Sequence, residues 1–204
     1  EYLVDEATDE YLEETLLRGL IIGYGTLREK EDVVISLEML DEYLPLIDNW
    51  MICDTFCNTF KIASFPEYRE EVLNHIIFFL QFGSEYAERT AFILYLNQLL
   101  KYDSDGNKLN RLKTVTLKDI ESTDRESAML DKFLLFALKD LDGRFYSQMG
   151  AAWFLAEAFN VYPDKIWPLL KSGKNMGVDK KTYSLTLRTI IESRVPSKEV
   201  KELI

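Results

Sequence analysis

The stretch EYAERTAFILYLNQLLKY, residues 85–102, decides the fold class of this chain. Its apolar residues recur every three or four positions, which is the spacing of a buried helix and differs from the alternation of a strand. Similar segments surround it, among them VVISLEMLDEYLPLI (33–47), VLNHIIFFLQF (72–82), FYSQMGAAWFLAEAF (145–159) and DKKTYSLTLRTIIES (179–193). Because no segment alternates convincingly as a strand would, the sequence predicts an all-α protein.

Short turn signals such as ASFP, FGS and NVYP separate these helices, and one longer polar interruption spans residues 102–124. Consecutive antiparallel helices joined by short turns are typical of a bundle or an α-solenoid. Equivalent helix pairs recur about every 35–45 residues, which lies in the HEAT-like range. We therefore predict a single domain over residues 1–204, a HEAT-like helical-repeat solenoid with a concave face suited to a long ligand.

Several function classes lack the residues they need. Cys53 and Cys57 are the only cysteines, and their spacing of four on one predicted helix suits two reduced thiols better than a disulfide. His75 is the only histidine and lies in an apolar segment, so we interpret it as a packing residue. No Ser-His-Asp triad and no Cys/His metal site can be built without more of these residues. The sequence thus predicts no metal and no cofactor.

Charge and hydropathy indicate where the chain resides and what it can bind. No apolar run reaches the ~20 residues that cross a bilayer, and no charged-then-apolar leader opens the chain, so we expect a cytoplasmic protein without membrane contact. The net charge of −11 is uneven, since residues 1–60 hold 15 acidic and three basic side chains, whereas residues 165–204 hold nine basic and four acidic ones. The acidity is local and leaves room for a basic face elsewhere.

A few charged or aromatic residues occupy helices where apolar residues would be expected. Trp50 and Asp54 lie four apart on a helix predicted over residues 50–62, with Asp48 as its N-cap, and therefore share one face. Arg89 heads a strongly apolar helix, and Trp153 follows three small residues that let another group approach closely. One interpretation makes the tryptophans core residues and the acid and arginine a structural ion pair. The other makes them a reactive surface.

Four segments carry a resemblance to a known family: LDEYLPLIDNWMICDTFCNTFK (40–61), ERTAFILYL (88–96), FYSQMGAAWFLAEAF (145–159) and RTIIESRVPSKEVKELI (188–204). They resemble the AlkD-like DNA alkylation repair family, bacterial HEAT-like proteins that remove alkylated purines. The resemblance covers essentially the whole chain. It implies that the family's first helices precede Glu1, in line with a first methionine at Met39.

The resemblance implies a DNA glycosylase whose concave face carries Trp50, Asp54, Arg89 and Trp153. A purine alkylated at N3 or N7 is cationic and leaves as a neutral base, so the reaction needs no histidine acid. Asp54 would stabilise the oxocarbenium-like sugar and orient water. Trp50 and Trp153 would face that cation with their indole rings, and Arg89 would grip a phosphate.

Double-stranded DNA containing alkylated purines is the partner that the resemblance implies, and a capped solenoid is expected to be a monomer. Further candidates for phosphate contacts are basic residues that otherwise form solvated helix faces. They are Lys101, Lys108, Arg111, Lys113, Lys171, Lys174, Lys180, Lys181 and Arg188. The alternative function is a non-catalytic HEAT-like module, which binds nucleic acid or binds a basic protein through its acidic N-terminal third.

Overall fold

A computed structural model of the chain describes residues 11–25, 33–81, 84–102, 107–109, 112–122 and 127–204, except for the side chains of Ser64 and Lys174. Eleven α-helices occupy these ranges, which contain no β-strand, only two isolated bridges. The helices are α1 Leu12–Gly25, α2 Val33–Tyr43, α3 Trp50–Thr59, α4 Arg69–Gln81, α5 Glu85–Leu94, α6 Leu117–Glu121, α7 Ala128–Ala137, α8 Phe145–Val161, α9 Pro163–Ser172, α10 Lys180–Glu192 and α11 Lys198–Glu202. The prediction of an all-α protein is confirmed.

The helices pack in two rows. Helices α1, α3, α5, α8 and α10 lie side by side in that order and form the first row. Helix α2 packs on α1, α4 on α5, α7 on α4 and α9 on α8, so these four cover the first row. Neighbours in the first row are distant in sequence. Side chains from α3, α5 and α8 can therefore meet on one surface.

An aromatic cluster joins α5, α7 and α8. The rings of Tyr95 and Phe133 stack with centroids 4.1 Å apart, and Phe154 meets Phe133 edge-on at 5.0 Å. All three side chains are fully buried, and burial raises the pKa of the Tyr95 phenol well above its ordinary value. Burying each phenyl ring contributes about 1.5–3 kcal/mol, so this cluster fixes the position of the first row against the second.

Helix α3 differs from the sequence prediction at both ends. Asn49 caps it, because its side-chain oxygen accepts a hydrogen bond from the Ile52 amide at 3.0 Å. Asp48 instead accepts from the Asn49 side chain at 2.8 Å. The helix ends at Thr59, and a single 3₁₀ turn at Ile62–Ser64 follows. The predicted cap was wrong by one residue because aspartate and asparagine suit that position equally well.

The cysteines and the histidine lie in the packed interior or at its edge. Cys53 and Cys57 are free and buried, and burial raises the pKa of the Cys57 thiol. His75 packs edge-on against Phe79 at 5.2 Å, and its Nε2 lies 2.8 Å from Asp41 Oδ1. His75 therefore links α4 to α2 and contacts none of the aromatic or charged candidates.

Candidate functional site

Three helices of the first row bring the four candidate residues together. Trp50 and Asp54 lie one turn apart on α3, Arg89 lies on α5 and Trp153 on α8. The Asn49 cap sets the start of α3 and so places Trp50 in its first turn. Because α3, α5 and α8 are consecutive in the row, these side chains occupy one continuous surface.

Asp54 and Arg89 form a two-point ion pair at the floor of this surface. Arg89 Nη2 donates to Asp54 Oδ2 at 2.8 Å, and Arg89 Nε donates to Oδ1 at 3.1 Å. The arginine side chain is 3% exposed and the aspartate side chain 19%. Paired donors of this kind fix the plane of a carboxylate as well as its position. Asp54 is thus held rigidly while one edge of it reaches solvent.

Trp50 lies one turn before Asp54, Trp153 lies beside Arg89, and both tryptophans are open to solvent. Trp50 is 52% exposed and Trp153 is 37% exposed, so neither is a core residue. The guanidinium carbon of Arg89 lies 5.3 Å from the Trp153 ring centroid, within range of a cation–π contact. Gly150 lies close to Arg89 as well, since a Cβ there would make an ordinary van der Waals contact with its Cα and Cγ at 3.4 Å. The small residues before Trp153 therefore serve helix packing.

A tyrosine pair that the sequence analysis missed adjoins the site. The rings of Tyr86 and Tyr146 stack with centroids 5.4 Å apart. The carbonyl of Tyr146 accepts the third hydrogen bond of Arg89, from Nη1 at 3.2 Å. Burial, then the neighbouring Tyr146 and Glu85, raise the pKa of the Tyr86 phenol. Helical spacing was the available signal, since Tyr86 precedes Arg89 by three residues and Tyr146 precedes Trp153 by seven.

Two of the predicted phosphate-binding lysines lie beside Trp153. Lys101 and Lys108 line a cavity of about 770 Å³ that also includes Trp153, Glu157 and Thr189. Burial lowers the pKa of the Lys101 amine, and the nearby charges of Lys108 and Lys61 lower it further. Lys61, which the sequence analysis did not select, belongs to the same basic cluster. These cations could meet a phosphate backbone that passes Trp153.

The other basic candidates that the structure describes do not line this cavity. Lys180 and Lys181 line a separate cavity of about 550 Å³ together with Asp140, Asp142 and Asp179. Lys171 lies 5.6 Å from the Trp167 ring, Arg188 bonds Glu192 at 2.8 Å and Lys113 is exposed. Arg111 and the Lys174 side chain lie outside the described residues. A role in phosphate binding stays a prediction for all of them.

Arg89 was predicted to grip a phosphate, and that role is also untested. In this structure its Nε, Nη1 and Nη2 donate to Asp54 and to the Tyr146 carbonyl. The geometry supports a different contribution, which is to orient the carboxylate of Asp54 through two hydrogen bonds.

The arrangement offers an anion and two exposed aromatic side chains. A fixed carboxylate and indole rings both stabilise a developing cation.

Within the described ranges, no three His, Cys, Asp or Glu side chains are grouped so as to hold a metal ion. None of the described helices is long and apolar enough to cross a membrane. No family model, curated protein or solved structure matches the chain.

Proposed function

We propose that this chain is a HEAT-like DNA glycosylase that hydrolyses the N-glycosidic bond of cationic N3- and N7-alkylpurines in double-stranded DNA. The observation that carries the proposal is the carboxylate of Asp54, which Arg89 fixes at both oxygens, one turn from the exposed Trp50 and on the same arginine that contacts the exposed Trp153. The segments that resemble the AlkD-like family contain the same residues, so sequence and geometry favour one surface.

The proposed reaction matches what this surface contains. The bond between C1′ and the purine nitrogen breaks, and its electron pair neutralises the cationic base, which therefore leaves without protonation. The deoxyribose gains oxocarbenium character, and the negative charge of Asp54 stabilises it. Water then adds at C1′ and loses a proton to Asp54 or to solvent. The sequence has a single histidine, and this reaction does not require it.

The aromatic and basic residues contact different parts of the DNA. Trp50 and Trp153 offer their faces to the sugar cation, and each contact contributes about 0.5–2 kcal/mol depending on its desolvation. Lys101 and Lys108, which line the cavity beside Trp153, contact the phosphates that flank the lesion. Arg89 acts as a positioning residue because it fixes both oxygens of Asp54.

Release of free base from DNA containing N7-methylguanine tests the proposal. Asp54→Asn should lower the rate by about 100-fold or more, since a group that stabilises transition-state charge is lost. Asp131→Asn is the matched control, because Asp131 is an exposed carboxylate paired with Lys165 on another helix and should leave the rate unchanged. Circular dichroism at the assay temperature establishes that both variants are folded.

Equal rates for wild type and Asp54→Asn would contradict the catalytic role of Asp54. Absence of base release at low salt, where binding to phosphates is strongest, would favour the non-catalytic module instead. One observation supports that alternative: all three hydrogen-bonding nitrogens of Arg89 are engaged by the protein, as in a structural ion pair. A gel-shift assay with undamaged and alkylated DNA then distinguishes a binding module from a protein without affinity for DNA.

A further inference from the structure

A second surface lies at the N-terminal end of the two rows, away from Asp54. Helices α1 and α2 enclose a cavity of about 290 Å³ between them. Its walls are mainly aliphatic, and the side chains that matter here are Ile21, Ile22, Ile35, Met39 and Leu46. A concave, mostly apolar wall with few polar groups is characteristic of a site that receives an apolar group.

The apolar surface extends beyond the cavity along both helices. Leu17, Ile21 and Tyr24 of α1 are 45%, 45% and 61% exposed, and they follow one another at spacings of four and three. Ile35 and Met39 of α2 are 49% and 40% exposed and lie one turn apart. Single exposed apolar residues are ordinary, but rows at helical spacing around a cavity mark an interaction site. The spacing matches a helix lying across the groove.

One buried polar atom lines the cavity without a partner. Ser36 is 1% exposed, and within the described part of the chain nothing accepts from or donates to its Oγ. Ser36 lies in the first turn of α2. A buried hydroxyl left without a hydrogen bond is costly, so its persistence in the cavity wall points to a polar group that arrives with a ligand.

The charge around the groove selects the kind of partner. Glu42 lines the cavity opposite one cation, Arg18, and Glu38 lies one turn before Glu42 on the same helix. Arg18 is the only lysine or arginine in residues 11–25 and 33–60. Residues 1–10 are themselves acidic, with five carboxylates, so charge repulsion argues against that segment as the occupant. An apolar groove bordered by carboxylates is complementary to a basic amphipathic helix.

We propose that the groove between α1 and α2 is a docking site for a basic amphipathic helix of a partner protein. An apolar side chain of that helix fills the cavity between Ile35 and Met39. Its lysines or arginines pair with Glu38 and Glu42, and one ammonium donates to Ser36 Oγ. The proposal does not depend on the base-release activity, because it uses none of the residues on α3, α5 or α8.

A labelled 14-residue helical peptide of leucine and lysine, with leucines at i, i+3, i+4 and i+7, serves as the probe. Fluorescence anisotropy should give micromolar binding that weakens with salt, and at least tenfold weaker binding of the same peptide with glutamate for lysine. Ile35→Glu should reduce the affinity at least tenfold. Leu135→Glu is the matched control, since Leu135 is 80% exposed on α7 and should leave the affinity unchanged.

Three outcomes would overturn the proposal. The first is no measurable binding of the lysine peptide to the folded chain. The second is an equal effect of Ile35→Glu and Leu135→Glu, which would indicate adhesion to any apolar surface. The third is a dimer in light scattering that Ile35→Glu converts to a monomer, which would make a second copy of the chain the occupant. Reversal of charge in Glu38→Lys/Glu42→Lys, with weaker and less salt-dependent binding, would support the proposal.

Discussion

Helix α5 carries two adjacent buried charged residues, and each pairs with a different part of the protein. Glu88 is 0% exposed and Arg89 is 2% exposed. Arg89 pairs with Asp54 of α3 and lies beside the exposed ring of Trp153. The carboxylate of Glu88 instead receives Lys139 and Arg144, the latter at 2.9 Å, from the segment that joins α7 to α8.

The difference teaches that a buried ion pair does not by itself identify a functional site. On the Glu88 side, Lys139 also donates a hydrogen bond to the Leu80 carbonyl of α4. The charges therefore join the segment between α7 and α8 to helices α4 and α5. On the Arg89 side, the partner carboxylate reaches solvent next to two exposed indoles. The Asp54–Arg89 pair differs from the Glu88 pairs because its carboxylate is accessible to solvent and has exposed aromatic residues nearby.

The largest effect on stability is expected on the Arg89 side. Asp54→Asn removes the anion and leaves a guanidinium that is 3% exposed without its counter-charge. Breaking a buried pair in this way costs about 3–5 kcal/mol of the free energy of unfolding, which urea denaturation followed by circular dichroism measures. A loss below about 1 kcal/mol would show that Arg89 is solvated more easily than its burial implies.

A double variant sharpens this prediction. Asp54→Leu/Arg89→Leu should be more stable than either single substitution, since replacing both charges with apolar groups removes the unpaired ion. It should still release no base, because the carboxylate is absent. Recovery of stability without recovery of activity would separate the chemical role of Asp54 from its structural one.

An intermediate effect is expected on the Glu88 side. Glu88→Gln removes the anion, but Lys139 and Arg144 are 29% and 33% exposed and can turn to solvent. The loss should therefore be about 1–3 kcal/mol, less than for Asp54→Asn. Base release by the folded variant should stay within about threefold of wild type. A loss of activity as large as that of Asp54→Asn would break the distinction between the two sides.

The smallest effect concerns Asp179, which ties the Glu88 side to α10. Burial alone would raise its pKa, but hydrogen bonds from the Thr182 side chain and from the Thr182, Leu141 and Lys181 amides hold it below its ordinary value of 3.8. A lowered pKa contributes stability above the ordinary value, and that stability is lost as the pH falls through the folded-state value. Asp179→Asn should thus lower the free energy of unfolding at pH 7 by less than about 1 kcal/mol, because asparagine also caps a helix and Asp179 is partly solvated.

The pH dependence provides the check on Asp179. The difference in free energy of unfolding between wild type and Asp179→Asn should shrink as the pH falls below 3.8, because Asp179 takes up a proton first in the unfolded chain and, at lower pH, in the folded one. Urea denaturation at several values between pH 7 and pH 3 measures it. A difference that is constant over this range would mean that the negative charge of Asp179 contributes nothing to stability.

Much of the fold was predictable because helical periodicity is a local property. The segment at residues 85–102 predicted a helix, and α5 begins at Glu85, although the regular helix ends at Leu94 and a wider π turn follows at Tyr95–Leu99. The change of winding was not predictable, since tertiary packing of Tyr95 against Phe133 and Phe154 fixes that turn.

The candidate site was predictable in part for the same reason. A spacing of four places Trp50 and Asp54 on one face of a helix, whichever helices pack against it. The same rule would have found Tyr86 beside Arg89 and Tyr146 beside Trp153. The assignment of Arg89 to a phosphate came from a resemblance, whereas its hydrogen bonds to Asp54 follow from the packing of α5 against α3.

The sequence by itself determined the all-α class, the two free thiols on one helix face and the local clustering of acidic residues near the N-terminus. Only the tertiary structure decided that Asp54 meets Arg89 and that Trp153 approaches Arg89. It also opened the cavity lined by Ser36 between α1 and α2. The reason is that periodicity encodes which side of a helix is buried, whereas the identity of the helix that covers it depends on contacts between residues far apart in the chain.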